Sequence, residues 1–240
     1  MSTSSPRIVY MGTPEFAAES LKALYASQHS VELVITQPDR AKNRGKKVQF
    51  TPVKEVAVEH NTDVMQPERI RGNEEIMEAL KAINPDIIIV AAYGQILPEE
   101  ILNLPKYGCI NVHASLLPKL RGGAPIHHAI MDGLEETGIT IMYMDVSMDS
   151  GDIITQEEID ILDSDNLESL HDRLSVMGRD LLLKTLPSII EGTNNRIPQN
   201  VDEVTFGFNI KREEEHIDFN KTSREIFNLI SLFFYSIFNF

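Results

Sequence analysis

One segment limits the fold more than any other: Asp86-Ile87-Ile88-Ile89-Val90-Ala91-Ala92. After its aspartate it has no polar position on either side of the two-residue strand period. A strand of this kind must be covered on both faces, which is the situation of a parallel sheet held between two helix layers. The surrounding sequence agrees. Ile8–Met11 is a short apolar run ended by Gly12-Thr13-Pro14, and Phe16, Ala17, Leu21 and Leu24 then recur at helical spacing. Val31, Leu33, Val34 and Ile35 predict a second strand, closed by Gln37-Pro38-Asp39, with a polar loop from there to about Phe50. A short helix opens at Pro52. Val64-Met65 is a short strand, and Glu74–Ile83 a helix with Ile76, Leu80 and Ile83 on one face.

Beyond the central run, Pro98 opens a short helix, Cys109–Val112 reads as a strand and Ala124–Met131 as a helix. Further strands are expected over Gly138–Tyr143 and Ile153–Ile159, and a long helix over Asn166–Leu186. Strands and helices alternate from residue 7 to about residue 150. The predicted fold class is therefore α/β, a doubly wound and mostly parallel sheet of the Rossmann-like kind. Glu191–Lys211 is rich in Asn, Pro and Gly and reads as an extended connection. Another helix starts near Lys221.

With 240 residues the chain can form one large domain or two small ones, with a sizeable core. Its formal charge of -14 argues against a nucleic-acid partner, because phosphate binding needs clustered cations. The charge is uneven, however. Positions 1–60 hold eight basic and six acidic residues, and five of those basic residues fall within Arg40–Lys47. That loop is either a solvated surface or an anion or nucleic-acid contact. It leaves the C-terminal end of the second strand, which favours a contact. One cysteine, Cys109, excludes a disulfide framework and a cysteine-based zinc site and fits a reducing cytoplasm. No His/Asp/Glu set has metal-ligand spacing. No signal peptide is evident, and the apolar stretch Ile226–Phe240 is shorter than the ~20 residues of a spanning helix.

The residues best suited to chemistry lie in Ile110–Pro125. Period-2 alternation puts Asn111, His113 and Ser115 on one side of a strand end, where open α/β sheets bind ligands. An Asn amide can donate to an oxyanion, and a His can donate or shuttle a proton near neutral pH. A carboxylate folding back onto His113 would complete the group. Asp145, Asp149 and Asp152 all lie in the loop after the next strand, and spacing does not choose among them. A purely structural, hydrogen-bonded pair accounts for Asn111 and His113 about equally well. After strand one, Met11-Gly12-Thr13-Pro14-Glu15 lacks the G-x-G-x-x-G pattern of dinucleotide binding.

On these residues the chain resembles the methionyl-tRNA formyltransferases, a branch of the folate-dependent formyltransferases. The resemblance runs from about Arg7 to Ile230. It is carried by VYMGTPEFAAESL, TQPDRAKNRGKKVQFTPVK, AAYGQILPEEIL, GCINVHASLLPKLRGGAPIHHAI and GITIMYMDVSMDSGDII. Asn-x-His with Asp149 38 residues after the Asn is common to the folate-dependent enzymes, whereas MGTPEFA and the QPDR…RGKK loop mark the tRNA branch.

The resemblance implies formyl transfer from 10-formyltetrahydrofolate to the amino group of methionyl initiator tRNA, for translation initiation in the cytoplasm. Asn111, His113 and Asp149 would be catalytic. Ser115, Leu116, Leu117 and Pro118, with Tyr93 and Ile96, would hold the folate. Arg40, Lys42, Arg44, Lys46 and Lys47 would meet the tRNA acceptor end. No metal, no membrane and a monomeric state are expected.

Two departures stand out. Leu120 occupies a position that is usually aromatic in the family. The pattern also gives way near Ile230 to SLFFYSIFNF, where relatives continue into a C-terminal β-barrel. The expected organisation is a catalytic domain over 1–192, a linker and the start of the C-terminal region over 193–225, an atypical apolar tail over 226–240, and no β-barrel domain. Two other outcomes share the catalytic residues: a folate-binding remnant with weak or absent tRNA formylation, and a sugar-nucleotide formyltransferase.

Overall fold

The computed structural model describes residues 5–42 and 47–238, of which 41, 42, 47 and 234–238 are described by backbone alone. Among the described residues a seven-stranded sheet forms the centre. Its strands are β1 (Arg7–Gly12), β2 (Ser30–Ile35), β5 (Val64–Met65), β6 (Ile87–Ala91), β7 (Cys109–His113), β8 (Glu136–Tyr143) and β9 (Ile153–Asp160). The order across the sheet is β5-β2-β1-β6-β7-β8-β9. The first five run parallel, while β8 is antiparallel to both β7 and β9. A separate hairpin, β3 (Arg40–Lys42) with β4 (Lys47–Gln49), stands in the segment expected to be loop.

The central run behaves as its composition requires. Ile87, Ile89 and Ala91 of β6 enter one core with Ile8 and Tyr10 of β1, while Ile88 and Val90 enter a second core with Val9 and Met11. Every residue of β6 is buried. Each such isoleucine contributes about 1.5–3 kcal/mol over its exposed state.

Three helices, α1 (Glu15–Ala26), α2 (Pro52–Glu59) and α6 (Leu167–Glu191), cover the first face through Phe16, Leu21, Val53, Val56, Leu174 and Leu182. α3 (Glu74–Ile83) and α4 (Glu99–Leu102) cover the second through Ile76, Leu80 and Ile101. Asn73 caps α3 by accepting from the Ile76 N–H at 3.0 Å. Thr51 does the same for α2.

α6 runs past Leu186 and through Pro187 to Glu191, where Gly192 at φ +70° ends it. The two remaining helices, α5 (Pro125–Met131) and α7 (Ser223–Phe238), pack on one another. α7 buries Asn228, Leu229 and Leu232. The first part of the apolar terminal stretch therefore lies against the domain. No helix of the described residues is long and apolar enough to cross a membrane.

Candidate active site

The alternation of β7 decides which side chains reach the site. Ile110 and Val112 sink into the first core and Cys109 into the second. Asn111 and His113 share the face of Cys109, close to the C-terminal end of the strand, and both are buried. Burial pushes the Cys109 thiol up to about 12, so it stays protonated and takes no part as a nucleophile.

Of the three candidate aspartates, Asp149 is the one that turns back onto β7. Its Oδ1 lies 3.5 Å from Asn111 Nδ2, and its Oδ2 lies 3.8 Å from His113 Nδ1. Asp145 instead accepts from the Val146 N–H, and Asp152 pairs with Arg196 at 3.3 Å. Asp149 holds a left-handed backbone at φ +49°, an arrangement that a non-glycine residue keeps only under external support. Part of that support is the Gly122 N–H, which donates to Oδ2 at 2.8 Å.

His113 is oriented from its other side. Nε2 lies 3.0 Å from the carbonyl oxygen of Leu120. A carbonyl only accepts, so Nε2 carries the hydrogen, and Nδ1 is the position facing Asp149 that can gain or lose a proton. Leu120, too, is left-handed, at φ +56°. The residue that stands where an aromatic is usual thus meets His113 through its backbone.

Ser115 is buried, and its hydroxyl donates to the Lys119 carbonyl at 2.6 Å. Leu117 packs with Met142 and Ile153, and Leu116 and Pro118 are half-buried. Thr140 braces this strip, donating to the Ser115 carbonyl and accepting from the Leu117 N–H.

The two residues expected on the Tyr93–Ile96 loop part company. Tyr93 sits in the second core, while Ile96 is 57% exposed. The buried Tyr93 hydroxyl has no hydrogen-bond partner among the described residues, and burial raises it to about 12.

Arg40 is exposed at the start of β3. Lys42 and Lys47 face each other in the β3–β4 register, and Arg44 and Lys46 lie outside the described residues. The hairpin rises from the C-terminal end of β2, the same sheet edge at which β7 ends. Its base is tied down by Asp39, which contacts Lys54 and accepts from Gln66 at 2.8 Å. Burial alone would push the Asp39 carboxyl up, but these hydrogen bonds outweigh it and hold the group below the ordinary carboxylate range.

Sequence reasoning missed the supports of the site, which are backbone groups of Leu120 and Gly122 and side chains of the segment after α6. None has a local signal. No group of three metal-ligating side chains is present among the described residues.

Comparison with known proteins fits this arrangement. A family model described as formyl transferase matches residues 6–186. A methionyl-tRNA formyltransferase of Staphylococcus aureus (strain MW2) is 54% identical over 224 residues, which is 93% of this chain and 71% of that protein. Among solved structures, phosphoribosylglycinamide formyltransferase from Bacillus halodurans superposes with a TM-score of 0.64 at 26% identity, covering 77% of this chain and 95% of that one. A sugar 3N-formyl transferase, solved in the presence of dTDP and 5-N-formyl-THF, reaches a TM-score of 0.73 at 22% identity, covering 98% of this chain and 82% of that one; this likeness concerns the fold. The chain belongs to the formyl transferase family, on its methionyl-tRNA formyltransferase branch.

Proposed function

We propose that this chain transfers a formyl group from 10-formyltetrahydrofolate to the α-amino group of methionyl initiator tRNA, in the cytoplasm. The observation that carries this reading is the convergence of an amide, an imidazole and a carboxylate, Asn111, His113 and Asp149, at the end of one strand. The neutral amine attacks the formyl carbon, forming a C–N bond while the carbonyl electrons move to oxygen. Asn111 Nδ2 and protonated His113 Nδ1 donate to that oxyanion. Collapse breaks the bond to N10 of the folate, which takes up the proton that the amine releases. Asp149 steadies the imidazolium and relays that proton.

The half-buried Leu116 and Pro118 offer apolar surface three to five residues beyond His113, suited to a flat heterocycle. Ser115, Leu117, Tyr93 and Ile96 complete the proposed folate set. Arg40, Lys42, Arg44, Lys46 and Lys47 would meet acceptor-stem phosphates. That single basic loop reconciles RNA binding with the charge of -14. The test is an acceptor comparison using labelled 10-formyltetrahydrofolate. Charged initiator tRNA should take the label, whereas uncharged tRNA and an amino-sugar nucleotide should not. Preference for the amino sugar would overturn the reading.

A further inference from the structure

The segment after α6 looks like a bare connection in sequence, but it is laced onto both loops that carry the site. Ile197 exchanges two backbone hydrogen bonds with Ile153, at 2.8 and 2.9 Å. Gln199 follows. Its Oε1 accepts from Arg121 Nε at 3.0 Å and Nη2 at 2.7 Å. Its Nε2 donates to the carbonyls of Asp149 and Gly151, each at 2.8 Å. Both lone pairs and both hydrogens of one amide are thereby used, which fixes its orientation. Further on, Thr205 Oγ1 accepts from the Leu120 N–H at 2.9 Å, and Gly207 donates to the Arg121 carbonyl at 2.8 Å.

These contacts fall on the two left-handed residues of the site. The Leu120 carbonyl sets His113, and the Asp149 carboxylate faces it. A left-handed backbone at a non-glycine residue is strained and needs a partner to persist. We propose that Gln199 is a positioning residue for the transfer reaction. It bridges the Arg121 loop to the Asp149 loop and so holds the carboxylate against Asn111 and His113, without touching substrate. The proposal rests on the formyl transfer proposed above.

Gln199→Ala and Gln199→Glu should lower kcat about ten- to hundredfold, in the range of outer-shell partners, with little change in the KM for folate. The glutamate keeps the Arg121 pairing yet sets an anion against two carbonyls, so it should be no better than alanine. Asn200→Ala, which disturbs only the cap of the next short helical turn, should leave kcat unchanged.

Amide hydrogen exchange at Gly122 reads the same geometry without turnover. The Gly122 N–H that Asp149 accepts should exchange faster in both Gln199 variants and not in Asn200→Ala. Unchanged Gly122 protection overturns the proposal, as does a normal kcat well below the melting temperature. Faster exchange in the variants, with no formyl transfer by the wild-type chain itself, would instead overturn the assigned reaction.

Discussion

The backbone N–H of Gly122 reaches the Asp149 carboxylate at 2.8 Å, with Gly122 itself at φ +125°, where side chains are strained. A Cβ there would sit 2.7 Å from the Gly207 carbonyl oxygen, part of the backbone that overlies this loop. Gly122→Ala should therefore destabilise the fold by about 1–3 kcal/mol and shift the Asp149 loop. A lower melting temperature together with reduced transfer is the expected result, measured by thermal denaturation and steady-state kinetics.

Asp149→Asn keeps the shape and an acceptor for Gly122 but removes the charge facing His113. Transfer should fall by about 10²–10⁴ while the melting temperature stays near that of the wild type. Asp145→Asn and Asp152→Asn, whose partners lie in their own loop or on Arg196, should stay within a few-fold of the wild type. Comparable losses in all three would remove the special place of Asp149.

Arg44→Ala should raise the KM for charged tRNA and leave folate affinity intact. If the proposed contact is to phosphate, wild-type affinity for tRNA should weaken steeply as salt increases. Titrations at two ionic strengths check both outcomes.

Cys109 is 2% exposed, with its thiol raised to about 12. Almost none of the thiol is thiolate at pH 8. Raising the pH toward 9 should therefore give little alkylation of the native protein by iodoacetamide, whereas the unfolded chain should react completely. Mass spectrometry of the two samples provides the count. A fast native reaction would show that α4 opens from β7.

The parts of this fold legible in sequence are those whose signal is local. β6 reads as a two-faced strand because no polar residue interrupts Ile87–Ala91, and α3 matches its expected bounds because Asn73 and Asn84 mark its ends. The hairpin that pairs Arg40–Lys42 with Lys47–Gln49 was hidden because each strand is three residues long and has one apolar residue, too short to show a period. α6 continued through Pro187 because packing of Leu186 and Ile189 against the sheet outweighs one lost backbone bond. Asn111 and His113 were visible from alternation. The choice of Asp149 over Asp145 and Asp152 needed either family resemblance or the folded loop. Gln199 and Thr205 were invisible, since their partners, backbone groups and the Arg121 side chain, lie 48 to 85 residues away.

The most direct measurement pairs formyl transfer to charged initiator tRNA with a folate-binding titration, on the wild-type chain and on Asn111→Ala. The wild type should bind 10-formyltetrahydrofolate and transfer its formyl group. Asn111→Ala should bind it about as well and lose transfer by two or more orders of magnitude (roughly the share of one oxyanion donor). Near-normal turnover by Asn111→Ala, or folate binding without transfer by the wild type, would contradict the account.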